Sequence, residues 1–207
     1  MSDPKSFWDE RYAMGGWTYG TEPNDFLREA ATGLEGPVLC LGEGEGRNAV
    51  FLARQGLEVT AVDASPVGLQ KAQRLAAERG VRLTTVAADL NDFDLGEARW
   101  GTIVSIWCHL PSALRARVHR GVVRALKPGG RYLLEAYTPR QLAHGTGGPK
   151  DADLLPTVEL LRAELSGLTF ERLEEKERVV REGKLHDGTS AVVQAVAVKP
   201  RAQAPVA

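Results

Sequence analysis

Val38-Leu39-Cys40-Leu41-Gly42-Glu43-Gly44-Glu45-Gly46-Arg47-Asn48 is the stretch on which the reading of this chain turns. A short apolar run ends in three alternate glycines. Behind them Ala49, Val50, Leu52 and Ala53 recur at helix-face spacing and stop at Gly56. This is a strand, a tight turn and a helix. At such a turn glycines allow backbone angles closed to other residues and let a ligand approach bare main chain. In open α/β sheets, ligands bind at that carboxyl edge of the strands.

The spacing separates two ligand classes. A dinucleotide turn reads G-x-G-x-x-G and faces a pyrophosphate with helix amides. Here the pattern is G-x-G-x-G, and Arg47 stands where the third dinucleotide glycine belongs. Glu43 and Glu45 would repel a pyrophosphate. A ligand carrying a sulfonium and an ammonium, such as S-adenosylmethionine, suits two carboxylates better.

Working outward, Glu58 to Asp63 reads as a second strand, and Asp63 at its end can accept hydrogen bonds from both ribose hydroxyls. Ser65 caps the next helix with Pro66 at its first position, and that helix runs to Gly80. Val81 to Ala88 is a third strand, ending in Asp89-Leu90, where an acid can reach an adenine amino group. Trp100 to Trp107 is a fourth strand, Ser112 to Leu126 a helix and Arg131 to Tyr137 a fifth strand. Strands alternating with helices imply right-handed crossovers and a mostly parallel sheet. The end changes character: a helix over Thr157 to Leu165, then strand-like runs Thr169 to Val180 and Ala191 to Lys199 joined by a turn-rich connector. Gly145 to Lys150 reads as a mobile loop.

The 207 residues amount to one ordinary domain. The expected layout is an N-terminal helical lid over 1–30, a cofactor-binding core over 36–140, a helix plus β-hairpin over 150–200, and a disordered tail over 201–207. Lys+Arg 26 against Asp+Glu 27 leaves a net charge of −1, against a general nucleic-acid binder. The N-terminus has no signal-like pattern and no apolar run has membrane-spanning length, which predicts a cytoplasmic protein without membrane contact. Cys40 and Cys108, both within apolar runs, read as buried thiols. The four histidines are too scattered for a metal site.

The set from Val38 to Gly46, with Asp63, Ala88-Asp89 and Leu126-Lys127-Pro128-Gly129-Gly130, is similar to the motif series of class I S-adenosylmethionine-dependent methyltransferases. That resemblance implies a Rossmann-like, doubly wound, seven-stranded sheet of order 3-2-1-4-5-7-6, mostly parallel with the last strand antiparallel. It also implies S-adenosylmethionine as cofactor, held by Gly42, Glu43, Gly44, Gly46, Asn48, Asp63, Ala64, Asp89, Leu90 and Ile106. Phe7-Trp8-Asp9-Glu10-Arg11-Tyr12 and Tyr19-Gly20-Thr21-Glu22-Pro23-Asn24-Asp25-Phe26-Leu27 resemble the lid of the tellurite-resistance and thiopurine-methylating branch. One departure stands out: many class I enzymes carry an acid where this chain has Cys40, and Glu43 is the expected substitute.

Methyl transfer from a sulfonium is an in-line displacement, which an enzyme assists chiefly by alignment and water exclusion. The expected acceptor is a small-molecule nucleophile, a thiol, a chalcogen oxyanion or similar, met by a monomer or homodimer. The competing readings are a non-catalytic module that binds the adenosyl compound, or a nicotinamide-dependent oxidoreductase. Trp107-Cys108-His109-Leu110-Pro111 follows the fourth strand, so His109 is a candidate general base or substrate contact, with a helix-capping or partly buried histidine as the alternative. Trp8, Arg11, Tyr19, Trp107 and Arg140 are the candidate lid and substrate residues, and Tyr12 and Trp17 join the lid aromatics. Replacing Asp63 by alanine is expected to weaken adenosyl-ligand binding by about 1–3 kcal/mol; an unchanged calorimetric affinity would put Asp63 outside the site.

Overall fold

In the computed structural model, residues 4–183 and 185–201 are described. The helices are α1 (Pro4–Ala13), α2 (Asp25–Ala30), α3 (Arg47–Arg54), α4 (Pro66–Glu78), α5 (Ser112–Ala125) and α6 (Val158–Glu164). The strands are β1 (Val38–Leu41), β2 (Val59–Asp63), β3 (Thr84–Ala87), β4 (Trp100–Ile106), β5 (Leu126–Tyr137), β6 (Thr169–Arg181) and β7 (Asp187–Val198). The seven strands form one sheet in the order β3-β2-β1-β4-β5-β7-β6. β1 to β5 pair in parallel, and β7 runs antiparallel to both β5 and β6. This is the order and polarity expected from the motif series.

Central strands β1 and β4 are buried along their whole length, as strands covered on both faces must be. Alternation sorts their side chains into two layers. Leu39, Leu41 and Ile103 join Trp100, Val118, Val122 and Leu134 in one core. Val38, Cys40 and Val104 join Phe26, Leu27, Ala49, Leu52 and Leu133 in the other. Cys40 therefore points into the core, and burial pushes its thiol well above the usual range.

Local rules place the helices. Ser65 Oγ accepts the Gly68 amide at 3.0 Å, capping α4, and also receives α1: it donates to Asp9 Oδ1 at 2.5 Å. Asn24 caps α2 through the Leu27 amide, and Thr157 caps α6 through that of Leu160.

Several boundaries move. β3 is shorter than the 81–88 run, because it is the sheet's partly exposed edge and only its middle pairs. β5 starts at Leu126, since the Lys127–Gly130 turn is tied to Lys199 by reciprocal main-chain bonds. β7 starts at Asp187, shortening the connector to a tight hairpin turn. The 145–150 segment, expected to be mobile, is anchored: Thr146 Oγ1 donates to the Thr189 carbonyl at 2.7 Å, and Gln141 Nε2 donates to Gly147 O at 3.1 Å. The predicted tail lies, from residue 202, outside the described residues. Among the described residues no helix is long and apolar enough to cross a membrane.

Gly46 shows how tightly the helices close on the turn. Its φ is +89°, and a Cβ there would stand 2.5 Å from Ala72 Cβ on α4. Gly46→Ala should therefore destabilise the fold by about 1–3 kcal/mol in denaturant unfolding. A change within about 0.5 kcal/mol would mean that α3 and α4 separate freely.

Candidate functional site

Along the carboxyl edge of β1, β2 and β4 the expected ligand-binding residues come together. Gly42 and Gly44 both have positive φ, +59° and +61°. A side chain at Gly42 would meet Cys108 Sγ at 2.6 Å, and one at Gly44 would overlap the Tyr12 hydroxyl. Asp63 sits at the end of β2, buried, with Oδ2 accepting the Gly44 amide and Oδ1 the Ser65 amide, both at 2.8 Å. Each carboxylate oxygen keeps a further lone pair. Burial, then the two amides opposing it, leaves the Asp63 carboxyl above its ordinary range. Ala64 follows at the same edge, Leu90 and Ile106 are buried there, and Asp89 is exposed with its Oδ1 accepting the Asn91 amide at 2.7 Å.

The two glutamates of the turn differ in role. Glu43 Oε1 accepts the Ala49 amide at the start of α3, 2.8 Å away, and its carboxyl meets the Cys40 thiol. Burial pushes it up to about 7, against the opposing pull of that amide and Arg47. Glu45 turns away from the cradle. Its Oε2 accepts the backbone amides of Thr18 (2.8 Å) and Tyr19 (3.3 Å), and its Oε1 pairs with Lys71 at 2.8 Å. The reading of both acids as partners of a cationic ligand is thus corrected: Glu45 is a latch for the N-terminal segment. Asn48 likewise points behind the turn, where its Oδ1 accepts the Asn24 amide at 2.9 Å.

The N-terminal segment closes over this edge. Tyr12 lies buried against Gly44 and Gly68, with Trp8 stacked on it at 5.5 Å. Arg11 stacks on Phe7 and Trp8 and donates to the Tyr19 hydroxyl at 3.2 Å. Trp17 packs on the α3–α4 side with Val50 and Leu75.

Beyond the lid lies an aromatic cluster that contains only part of what was expected. Trp107, in a left-handed conformation with φ +58°, stacks on Tyr137 at 4.4 Å. A non-glycine residue held there stores strain, a mark of functional sites. His109 stacks on Tyr137, but both ring nitrogens are committed to main chain. The Tyr137 amide donates to Nε2 and Nδ1 donates to the Trp107 carbonyl, each at 3.1 Å. Burial draws its pKa down to about 4. His109 is therefore a neutral prop for this corner, and nothing is left on it to take a proton. Arg140 is not brought to the site: it lies exposed, paired with Glu177 at 3.0 Å. Cys108, pushed up to about 12 by burial and then by Asp63, stays a thiol.

Three groups here escaped the sequence reading. Tyr137, His186 and Glu182 come from the end of β5 and the β6–β7 hairpin. Glu182 Oε2 takes Arg47 Nη2 (2.5 Å) and Trp107 Nε1 (2.7 Å), while Oε1 takes Asn24 Nδ2 and Arg178 Nη2, both at 2.8 Å. Burial opposes its ionisation, but Arg47 and these donors hold its carboxyl down to about 2. The only available signal was the density of charge around Arg178 to Glu182, which resembles any solvated hairpin.

Residues 38–130 match the methyltransferase domain family. Over residues 38–130 the chain is similar to methyltransferase domains, and its sheet has the strand order of the class I S-adenosylmethionine-dependent enzymes. It is 31% identical over 137 residues to the 2-heptyl-1-hydroxyquinolin-4(1H)-one methyltransferase of Mycobacteroides abscessus, covering 64% of this chain and 60% of that protein. It is 27% identical over 191 residues to a ubiquinone biosynthesis O-methyltransferase of Xanthomonas oryzae, covering 79% and 76%. The chain spans about half the length of the curated relatives it first matches. A structure solved for the conversion of a disulfide bond into a thioacetal group during echinomycin biosynthesis superposes with a TM-score of 0.77 at 20% identity, covering 98% of this chain and 94% of that one. That likeness is one of fold.

The cofactor this likeness implies is S-adenosylmethionine, and the residues at the strand edge fit it. Main chain without side chains at Gly42 and Gly44, a buried carboxylate with spare lone pairs at Asp63, and a half-buried acid without full charge compensation at Glu43 suit a ligand with ribose hydroxyls and two cationic centres.

The raised Glu43 pKa has a direction that can be tested. The folded chain keeps this proton up to about 7, whereas the ordinary value is 4.5, so rising pH across that window costs the fold stability. A cationic ligand favours the ionised form, so its affinity should increase across the same window, by up to about tenfold per pH unit, and binding should release a proton. Calorimetry of S-adenosylmethionine at several pH values reads both effects, and Glu43→Gln should remove them. An affinity flat from about pH 5.5 to 7.5 in the parent protein would detach Glu43 from the ligand.

Proposed function

We propose that this domain transfers the methyl group of S-adenosylmethionine to a small-molecule nucleophile by in-line displacement. In this reading Gly42, Glu43, Gly44 and Gly46 border the methionine portion, Asp63 and Ala64 the ribose, and Asp89, Leu90 and Ile106 the adenine. The bound sulfonium supplies an activated methyl group. The chain's own residues exclude water and align the partners. The observation that carries the proposal is the direct junction of the bare glycine edge with an enclosed aromatic cluster through Tyr12 and Tyr19, whose rings meet edge-on at 6.3 Å.

That enclosure, latched by Glu45, favours a compact acceptor over a macromolecule. The relatives point the same way, since one acts on a hydroxyquinolinone and the other is an O-methyltransferase of ubiquinone biosynthesis. With His109 committed to main chain, an acceptor that ionises readily suits the site best: a thiol, an acidic hydroxyl or a chalcogen oxyanion. The lid of 1–30, the core of 36–140 and the helix and hairpin of 150–200 act in this reading as one unit, because groups from all three meet at the cluster.

Calorimetric titration with S-adenosylmethionine, S-adenosylhomocysteine and NAD should give binding of the two adenosyl compounds and none of NAD. Turnover is then measured on thiols, phenols, selenite and tellurite. Binding of the adenosyl compounds with no methylation of any of these acceptors would reduce the domain to a binding module.

A further inference from the structure

His186 stands out among the groups that the cofactor edge does not use. It sits on the β6–β7 hairpin and is about nine-tenths buried. Its ring lies 4.8 Å from Tyr19, 5.1 Å from Trp107 and 5.5 Å from Tyr137. Yet its Nδ1, fully withdrawn from solvent, has no hydrogen-bond partner among the described residues. Buried polar atoms are nearly always paired, and one left alone costs stability unless something arrives to satisfy it. The contrast with His109 is sharp, since that histidine shares Trp107 and Tyr137 as neighbours but has two main-chain partners. The Tyr137 hydroxyl, beside Ser190, also completes no well-formed hydrogen bond.

The surroundings indicate what would arrive. Three aromatic rings surround the imidazole: Tyr19 from the lid at a tilt, and Trp107 after β4 and Tyr137 at the end of β5 in edge-on contact. Arg11, Arg47, Glu182 and His109 are the ionisable groups that act on it. Burial first, then Arg47, keep the imidazole neutral, drawn down to about 3, so it can accept a hydrogen bond at any physiological pH. Tyr19 is the wall supplied by the lid, held through Glu45 and Arg11 on the same segment that covers Gly44.

We propose that His186 Nδ1, within the Tyr19–Trp107–Tyr137 enclosure, is the acceptor-binding group of the domain, and that the acceptor is a planar aromatic compound whose hydroxyl or thiol hydrogen it receives. This rests on the methyl-transfer reading and adds the class of substrate to it. The ring of the acceptor packs within this aromatic enclosure. The hydrogen bond to His186 orients the oxygen or sulfur.

The probe is 4-nitrophenol, whose absorbance distinguishes phenol from phenolate, titrated in the presence of S-adenosylhomocysteine. The expected result is saturable binding as the neutral phenol, weakened at least tenfold in His186→Phe. S-adenosylhomocysteine affinity should be unchanged in that variant. Its Tm should be equal or higher, because phenylalanine keeps the ring packing and removes the orphaned nitrogen. A histidine that only supports the fold would instead lower Tm on this change. His186→Gln, which restores an acceptor, should recover part of the affinity. The proposal is overturned if the parent protein binds S-adenosylhomocysteine but not 4-nitrophenol, or if His186→Phe binds the probe as tightly as the parent. Loss of S-adenosylhomocysteine binding by the parent itself would instead overturn the methyl-transfer reading.

Discussion

Four charged side chains withdrawn from water in one network hold the site end of this molecule together. Arg47 and Arg178 face Glu135 and Glu182, with Arg178 meeting Glu135 through two contacts at 2.9 and 2.7 Å. Asn24 and Gln194 fill remaining positions on Glu135 at 2.6 Å each. Burying ions is costly, and breaking such a set from one side costs about 3–5 kcal/mol, because the survivor is left uncompensated. The network therefore has one good arrangement. That arrangement fixes the start of α3 against β5, the β6–β7 hairpin, the Asn24 cap and the Trp107 indole. The glycine edge and the aromatic cluster come from distant parts of the chain, yet their relative position follows from these contacts.

Glycine supplies the complementary constraint. The network sets positions through bonds, whereas the turn sets them through the absence of side chains at Gly42, Gly44 and Gly46, each closely approached by a neighbour. Tyr12 fills the space above Gly44, so the lid completes the packing of the edge it covers. Lid and cradle form one packed surface.

Much of the sheet was legible because period and punctuation agree. Ser65-Pro66, the glycines after Leu41 and the apolar β4 each obey a local rule, and the strand order follows from the resemblance those motifs carry. The site was legible only where chemistry sits on a motif. Gly42, Gly44 and Asp63 lie together at the strand edge, where the Gly44 amide donates to Asp63. Glu45 and Asn48, inside the same motif, turn the other way, because residue spacing does not determine which neighbour a side chain meets. His109 drew attention as the histidine after β4, but its nitrogens meet main chain that only the fold brings near. His186, Tyr137 and Glu182 lie in stretches that read as hairpin and strand end. Their meeting depends on β7 returning beside β5, a pairing far apart in sequence, with no local signal.

The manner in which Glu45 holds the lid has an evolutionary consequence. It grips the amides of Thr18 and Tyr19, groups that every residue except proline possesses. Closure is thereby independent of which side chains the lid carries at those positions. Substitutions there can reshape the wall offered to an acceptor while leaving the clasp intact. A scaffold of this kind can drift from one acceptor to another by single changes, each intermediate still able to shut.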